Sequence, residues 1–275
     1  MLAAVLGYPI VDSIALALQR VVLTGGEIQQ SWVGFANFQR LFADATFQRA
    51  AANTAYFSVV EVVLVVGISL GIAVLLNHPM GRFGIFRILL IVPWAIAPVA
   101  NAVLWKWIYH SNYGILNAIL LRLGVIHSNV TWLGDAFRAL NMILIVDIWK
   151  STPFIAILLL AALQNIPRSL YRAARMDGAT AWQRFRHVTL PSLRTALAIA
   201  VILQTIWSLR IFDLIFVLTK GGPADGTVVM NFLAYRETFN FLKFGYGAAI
   251  ANIIFLTSLG LAILYVRLIR PAARR

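Results

Sequence analysis

The chain has no cysteine. A disulfide framework, a thiolate nucleophile and a cysteine-ligated metal centre are therefore excluded. Charge is scarce as well. Asp, Glu, Lys and Arg make up only 12% of the 275 residues, about half the share in an average soluble domain. The histidines are His78, His110, His127 and His187, and none lies in the core of an apolar run. A nucleophile and base at one membrane depth, as an intramembrane enzyme requires, are thus not available. No G-x-x-x-x-G-K-[ST] segment is present, so the chain cannot cradle ATP phosphates itself, and no H-E-x-x-H or other metal-ligand spacing occurs. No internal repeat stands out, which argues against secondary transporters built from repeated halves.

What the chain has in excess is apolar surface. Hydrophobic residues form 61% of it and the mean hydropathy is +0.83. Apolar runs of about 20 residues recur, the length a helix needs to cross about 30 Å of hydrocarbon. A soluble core does not require such runs, and they exclude the short alternating strands of a barrel. The expected fold is all-α, a polytopic membrane protein in a single domain over residues 1–275. The net charge of +13 sits in particular loops. That pattern marks membrane sidedness and contact with lipid, so no nucleic-acid partner is expected.

Six spans are expected: Met1 to about Gln19, Asn53–Leu76, Ile85–Tyr109 interrupted by Pro93 and Pro98, Leu140–Leu163 with Pro153 inside it, Thr195–Leu218, and Gly245–Leu268. A signal peptide is the rival for the first run, but that run lacks a basic start and carries Asp12 in its apolar part. The run starts at Met1 itself, so a trimmed N-terminus is expected. Connectors Arg20–Ala52, His110–Arg138 and Thr219–Phe244 are expected as short surface helices. His78–Gly84 should be a turn and Arg267–Arg275 a basic tail. Arg82, Arg87, the arginines from Arg168 to Arg194 and those of the tail lie on one side, in short segments whose one acid is Asp177. The positive-inside rule places that side, and both termini, in the cytoplasm.

One long polar passage interrupts this pattern: Tyr171–Pro191, YRAARMDGATAWQRFRHVTLP. Gly178 after Asp177 should end a first short helix in a left-handed residue. Thr180 should cap a second, and Pro191 should either stop that helix or open the next one. Ala173, Ala174 and Ala179 permit close approach, and Trp182 and Phe185 share a helical face as apolar anchors. This is the pattern of a helix seated in a partner's groove. The alternative is a basic amphipathic helix on anionic lipid, with Arg172, Arg175, Arg184 and Arg186 on the headgroups.

Polar residues inside the spans are candidates for function because lipid penalises them. They are Asp12, Glu61, Asn101, Asp147, Lys150, Gln204, Arg210, Asp213 and Asn252. Asp147 with Lys150, and Arg210 with Asp213, could each self-neutralise on one helix. Asp147, Ser151 and Phe154 form one stripe at helical spacing, and Gln204, Trp207, Ser208 and Ile211 a second. Hydroxyl-binding groups beside aromatic faces suit a sugar. Gly67 to Gly71 reads G-x-S-x-G, a hydrolase signature, but mid-span it is better read as a G-x-x-x-G packing face. Thr219-Lys220-Gly221-Gly222-Pro223 is read as a sharp external turn.

The polar passage resembles the EAA loop of permease subunits of bacterial ATP-binding-cassette importers, through Ala173, Ala174, Asp177, Gly178, Ala179, Phe185, Leu190 and Pro191. The likeness extends to VGFANF (Val33–Phe38), NTAYF (Asn53–Phe57), FRILLIVPWAIAP (Phe86–Pro98), WKSTPF (Trp149–Phe154), LLLAALQNIP (Leu158–Pro167) and LTKGGP (Leu218–Pro223), and as a set is similar to the maltose-permease type of the carbohydrate-uptake branch. It implies a type I importer permease fold in the bacterial inner or plasma membrane and a non-catalytic subunit working by alternating access. The implied partners are a second permease, two ATPase subunits that bind ATP and Mg in place of any cofactor here, and an extracellular solute-binding protein. By the same resemblance, Tyr171, Ala173, Ala174, Asp177, Gly178, Ala179, Trp182, Phe185 and Pro191, within residues 164–194, couple to the ATPase. Asn101, Asp147, Ser151, Phe154, Gln204, Trp207, Ser208 and Ile211 line the sugar site, Asn101 about one turn from the aligned position Pro98. The family's acidic first loop position is Arg172 here. Alternatives are a polyol or glycerol-phosphate diester as solute, or an ion-coupled secondary transporter using Asp147 or Glu61.

Overall fold

The structure is a computed structural model that describes residues 2–24, 27–77 and 84–269. Positions 78–83 of the expected turn and 270–275 of the expected tail lie outside the described residues. Most of the described residues are helical, and one antiparallel hairpin is present. Among the described residues, four helical stretches are long and apolar enough to cross a membrane: Ala45–Leu76, Ala136–Gln164, Ala181–Leu218 and Phe244–Arg267. The expected third span is instead a broken pair, bent by 102° between Leu89–Ala95 and Pro98–Ile108. Pro98 has no N–H to offer the carbonyl four residues back, which weakens the helix at this point. The first helix, α1 (Leu2–Ala17), holds Pro9. Its 16 residues rise about 24 Å, short of the hydrocarbon thickness.

The first connector departs from the expected surface helices. It opens with an antiparallel hairpin, β1 (Gln19–Thr24) paired with β2 (Glu27–Trp32) in the register Gln19↔Trp32 to Thr24↔Glu27. The short helix α2 (Ala36–Ala43) follows, then α3 (Ala45–Leu76). The broken pair is α4 (Gly84–Ala95) and α5 (Pro98–Ile108), and α6 (Ile115–Arg122) precedes the long α7 (Ala136–Gln164). Beyond it come α8 (Arg168–Met176), α9 (Ala181–Arg184), α10 (Leu190–Leu209), α11 (Asp213–Leu218), α12 (Met230–Tyr235) and α13 (Phe244–Ile269).

The chain divides into two compact units. Met1–Ser58, Pro98–Leu144 and Trp207–Gly260 form one, which holds the three long connectors. Val59–Ala97, Ile145–Ile206 and Leu261–Arg275 form the other, which holds the Arg-rich passage. They are called the connector unit and the loop unit below. The chain passes between them within α3, α7, α10 and α13, so the spans are shared.

In the connector unit, asparagines bind the connectors through backbone carbonyls. Asn37 donates to Ala17 and Gln19, and Asn53 to Gly226 and Val228 at 3.0 and 2.9 Å. Asn117 donates to Ser111 and Val130 and accepts from the Val130 amide and the Trp132 indole. Asn252, an intramembrane candidate, donates to the Ser13 and Ala248 carbonyls, a structural role. Arg210 and Asp213 form no ion pair; among the described residues pairs join Arg236 to Asp225 and Lys243 to Glu237.

The loop unit is held by apolar packing of Val65, Ala73, Leu76, Ile155, Leu159, Leu163, Leu193 and Ala200. The inward face of α3 follows the helical repeat through Glu61, Val65, Ser69, Ala73 and Leu76, all buried. Ser69 donates to the Thr152 carbonyl at 2.9 Å. Gly67 and Gly71 fall on the other face, with open space where a side chain would stand. The G-x-x-x-G pair is therefore not a packing face within the described residues, because the apolar periodicity turns α3 the other way.

Candidate functional site

The Arg-rich passage is a built helix–turn–helix. The helix α8 ends at Met176, and Gly178 is left-handed with φ +75°. The Gly178 amide donates to the Arg175 carbonyl and the Ala179 amide to Ala174, at 3.1 and 2.9 Å. These two bonds are the Schellman pairing that satisfies the last carbonyls of a helix. Two residues on, Thr180 accepts from the Gln183 amide while its own amide donates to the Gln183 side chain, a reciprocal capping box. The Arg184 guanidinium donates to the Ala179 carbonyl at 2.6 Å, bracing the turn. The Tyr171 and Thr189 hydroxyls bond across the two arms at 3.0 Å.

Pro191 neither stops the second helix nor opens a separate one. Helical backbone runs from Ala181 to Leu209, with one wide turn at Phe185–Thr189 where the Leu190 amide reaches the Phe185 carbonyl five residues back. The wide turn accommodates the missing N–H and the ring of Pro191, which an ordinary turn would drive into the preceding carbonyl. Trp182 and Phe185 stack at 5.5 Å with planes 26° apart, and Trp182 remains 67% exposed. Met176 is 88% exposed. Arg168, Arg172 and Arg186 are exposed. The passage thus presents apolar anchors rimmed with positive charge on a rigid double-capped turn.

The intramembrane candidates divide between the two units. Asp147, Ser151, Phe154 and Gln204 belong to the loop unit; Asn101, Trp207, Ser208 and Ile211 belong to the connector unit. In the loop unit, Asp147 and Ser151 are half-buried on α7. Phe154 stacks on Trp94 of α4 at 5.2 Å and 26°. The two rings line an apolar cavity of about 340 Å³ with Ile91, Pro153, Ile157, Leu158 and Ala161. Gln204 is fully buried and donates to the Glu61 carboxylate at 2.5 Å, and Asp147 is an acidic neighbour of the same Glu61. Lys150 donates to the carbonyls of Ile96 and Trp94 at 2.6 and 3.2 Å.

In the connector unit, Asn101 is fully buried and neither amide atom has a hydrogen-bond partner among the described residues. Ser208 is fully buried, Trp207 is 39% exposed and Ile211 is 8% exposed. The expected stripe keeps helical spacing only as far as Leu209, where α10 ends. Ile211 lies in the break before α11, so it leaves the stripe.

Reading the sequence missed three contributors. Glu61 stood among the intramembrane polar residues without a place in the site, although a buried acid is itself the signal. Gln183 was legible as the fourth residue of a T-x-x-Q capping box. Trp94 had no signal beyond its proline-flanked position.

Comparison with known proteins joins these observations. A family model described as the inner membrane component of binding-protein-dependent transport systems matches residues 64–275. The trehalose/maltose transport system permease protein of Thermococcus litoralis is 39% identical over 94% of this chain and 86% of its own length. The sulfoquinovosyl glycerol transport system permease protein of Agrobacterium fabrum is 33% identical over 98% and 87%. A chain from the crystal structure of a bacterial ABC transporter that imports the acidic polysaccharide alginate superposes with a TM-score of 0.83. It covers 99% of this chain and 92% of its own at 22% identity, and so shares the fold.

Proposed function

Because the chain belongs to the family of inner membrane components of binding-protein-dependent transport systems, we propose that it is the permease subunit of an ATP-driven importer that takes up a carbohydrate. The carbohydrate reading is carried by the two relatives, named for trehalose/maltose and for sulfoquinovosyl glycerol transport. In the working complex the chain forms a single transmembrane domain beside a second permease subunit. Two separate ATPase subunits bind ATP and Mg. A solute-binding protein delivers the sugar from outside, and both termini face the cytoplasm.

The Arg168–Thr189 turn is the coupling element. Trp182 and Met176 seat in the ATPase, and the double-capped turn passes its motion into α10 without a flexible joint. The continuous helical backbone from Ala181 to Leu209 supports that role. Asp147, Ser151 and Phe154 of the loop unit face the solute, and alternating access exposes them to each side in turn. This subunit performs no covalent chemistry.

Purification of the intact complex from native membranes tests the proposal, with ATP hydrolysis measured after reconstitution. A second permease and an ATPase should co-purify. Hydrolysis should rise when the solute-binding protein is added with trehalose, maltose or another glycoside. A chain that purifies alone, with uptake abolished by an uncoupler while ATP is clamped, would establish ion coupling instead.

A further inference from the structure

We propose that Lys150 is a positioning residue of the transport path: its ammonium replaces the N–H that Pro98 cannot supply and ties the carbonyl end of α4 to α7. The last carbonyls of any helix lack intrahelical partners. In a continuing helix the Trp94 carbonyl would accept from the amide of residue 98, but that residue is proline. At membrane depth, away from water, such a carbonyl needs another donor. Lys150, from the neighbouring α7, lies 3.2 Å from the Trp94 carbonyl and 2.6 Å from that of Ile96. A cation at a helix C-terminus is also favoured by the helix dipole.

The consequence is geometric. Lys150 lies one turn from Asp147 and from Phe154, and is adjacent to Ser151. Its grip on Trp94 and Ile96 holds α4 against α7 where Trp94 stacks on Phe154. Lys150 therefore shapes the α7 stripe rather than binding an anionic solute. The claim that this affects transport rests on the stripe facing the solute; the claim that Lys150 clamps the two helices does not.

The absence of cysteine makes cross-linking clean. Ile91→Cys and Ile157→Cys, on opposite helices of the shared cavity, are introduced into the intact complex in membranes and treated with a short bifunctional thiol reagent. Lys150→Met should slow cross-linking about tenfold, the effect of losing one hydrogen bond from a charged group. Lys150→Arg, which still donates to two carbonyls, should restore most of the rate. Equal rates in the wild type and Lys150→Met would overturn the assignment, as would equal impairment by Met and Arg. If the Met variant does not accumulate, Lys150→Gln against Lys150→Arg decides in the same way. Sugar uptake measured on the same variants separates the two claims. A raised KM in Lys150→Met, rescued by Arg, supports both. Lost cross-linking with unchanged uptake keeps the clamp and removes the solute-facing stripe.

Discussion

The connectors and the apolar bundle of the loop unit handle one physical problem, the polar group in an apolar setting, differently. In the connectors it is solved redundantly, although Asn101 on α5 of the same unit has no partner for either amide atom among the described residues. Asn117 alone makes four hydrogen bonds, three of them to backbone groups. The buried acid Glu237 meets Lys243 at 3.1 Å. In the loop unit the buried acid Glu61 meets the amide of Gln204 and has Asp147 as an acidic neighbour, with one of its oxygens lacking a hydrogen-bond partner among the described residues. Three of the unit's polar links join different helices: α3 to α10, α3 to α7, and α4 to α7 through Lys150. A scaffold that must stay fixed benefits from saturated clamps. A bundle that must rearrange is better served by a few helix-to-helix bonds over apolar faces, because dispersion contacts can be exchanged without stranding backbone donors.

The largest expected effect tests whether the loop unit is the moving part. Gly178→Pro replaces a residue at φ +75° with one fixed near −65° and removes the amide that closes the turn. Asp177→Arg changes the one acid of a strongly basic surface. Both should leave the protein inserted and assembled with its partner permease. Each should lower uptake about tenfold or more, a loss of coupling worth about 1.4 kcal/mol or above. Uptake and ATP hydrolysis measured in parallel read this directly. Unchanged uptake would break the comparison by removing the coupling role of the turn.

The sequence made this contrast partly visible. The long apolar runs located α3, α7 and α13 to within a few residues at their C-terminal ends, and Asp177-Gly178-x-Thr180 announced the double cap. Three features escaped. The hairpin of β1 and β2 is short and its second strand is exposed throughout, so no alternation of apolar residues marked it. The outward turn of Gly67 and Gly71 is set by which face of α3 carries Glu61, Val65 and Ser69, a tertiary choice that residue spacing alone leaves open. Pro93, Pro98 and Pro191 are equally conspicuous as letters. Pro98 follows a sharp break, Pro93 lies within α4, and Pro191 accompanies only a wide turn, where a five-residue hydrogen bond absorbs the misfit.

A smaller effect sharpens the comparison from both sides. Asn117→Ala should destabilise its connector by about 2–3 kcal/mol, since it strands several buried backbone and indole groups. Limited proteolysis should find new cleavage within 111–132 while uptake by the intact fraction persists. Gln204→Leu in the loop unit should cost a similar amount, because the Glu61 carboxylate loses its amide donor. Here uptake should fall with stability, as the lost bond joins α3 to α10. If both variants retained uptake equally, the division into scaffold and moving bundle would fail.

The smallest effect is a pH dependence confined to the scaffold. Asp44, between α2 and α3, accepts from the Tyr246 hydroxyl and from the Thr46 amide, each at 2.8 Å. Partial burial alone would raise its carboxyl pKa, but these hydrogen bonds outweigh burial and hold it below the usual carboxylate range. A group whose folded pKa is lowered stabilises the fold above its unfolded pKa, and that contribution disappears as pH falls through the folded value. Wild-type protein should therefore melt above Asp44→Asn at neutral pH, and the gap should narrow below about pH 4, where the unfolded carboxyl begins to take up its proton. Melting of the two proteins in detergent between neutral and acidic pH measures the gap. Asparagine still accepts from Tyr246, so the difference is modest and any remainder at low pH is independent of titration. A gap that widened on acidification would mean that the carboxyl is destabilising, and that this corner of the connector unit is not the saturated clamp its hydrogen bonds describe.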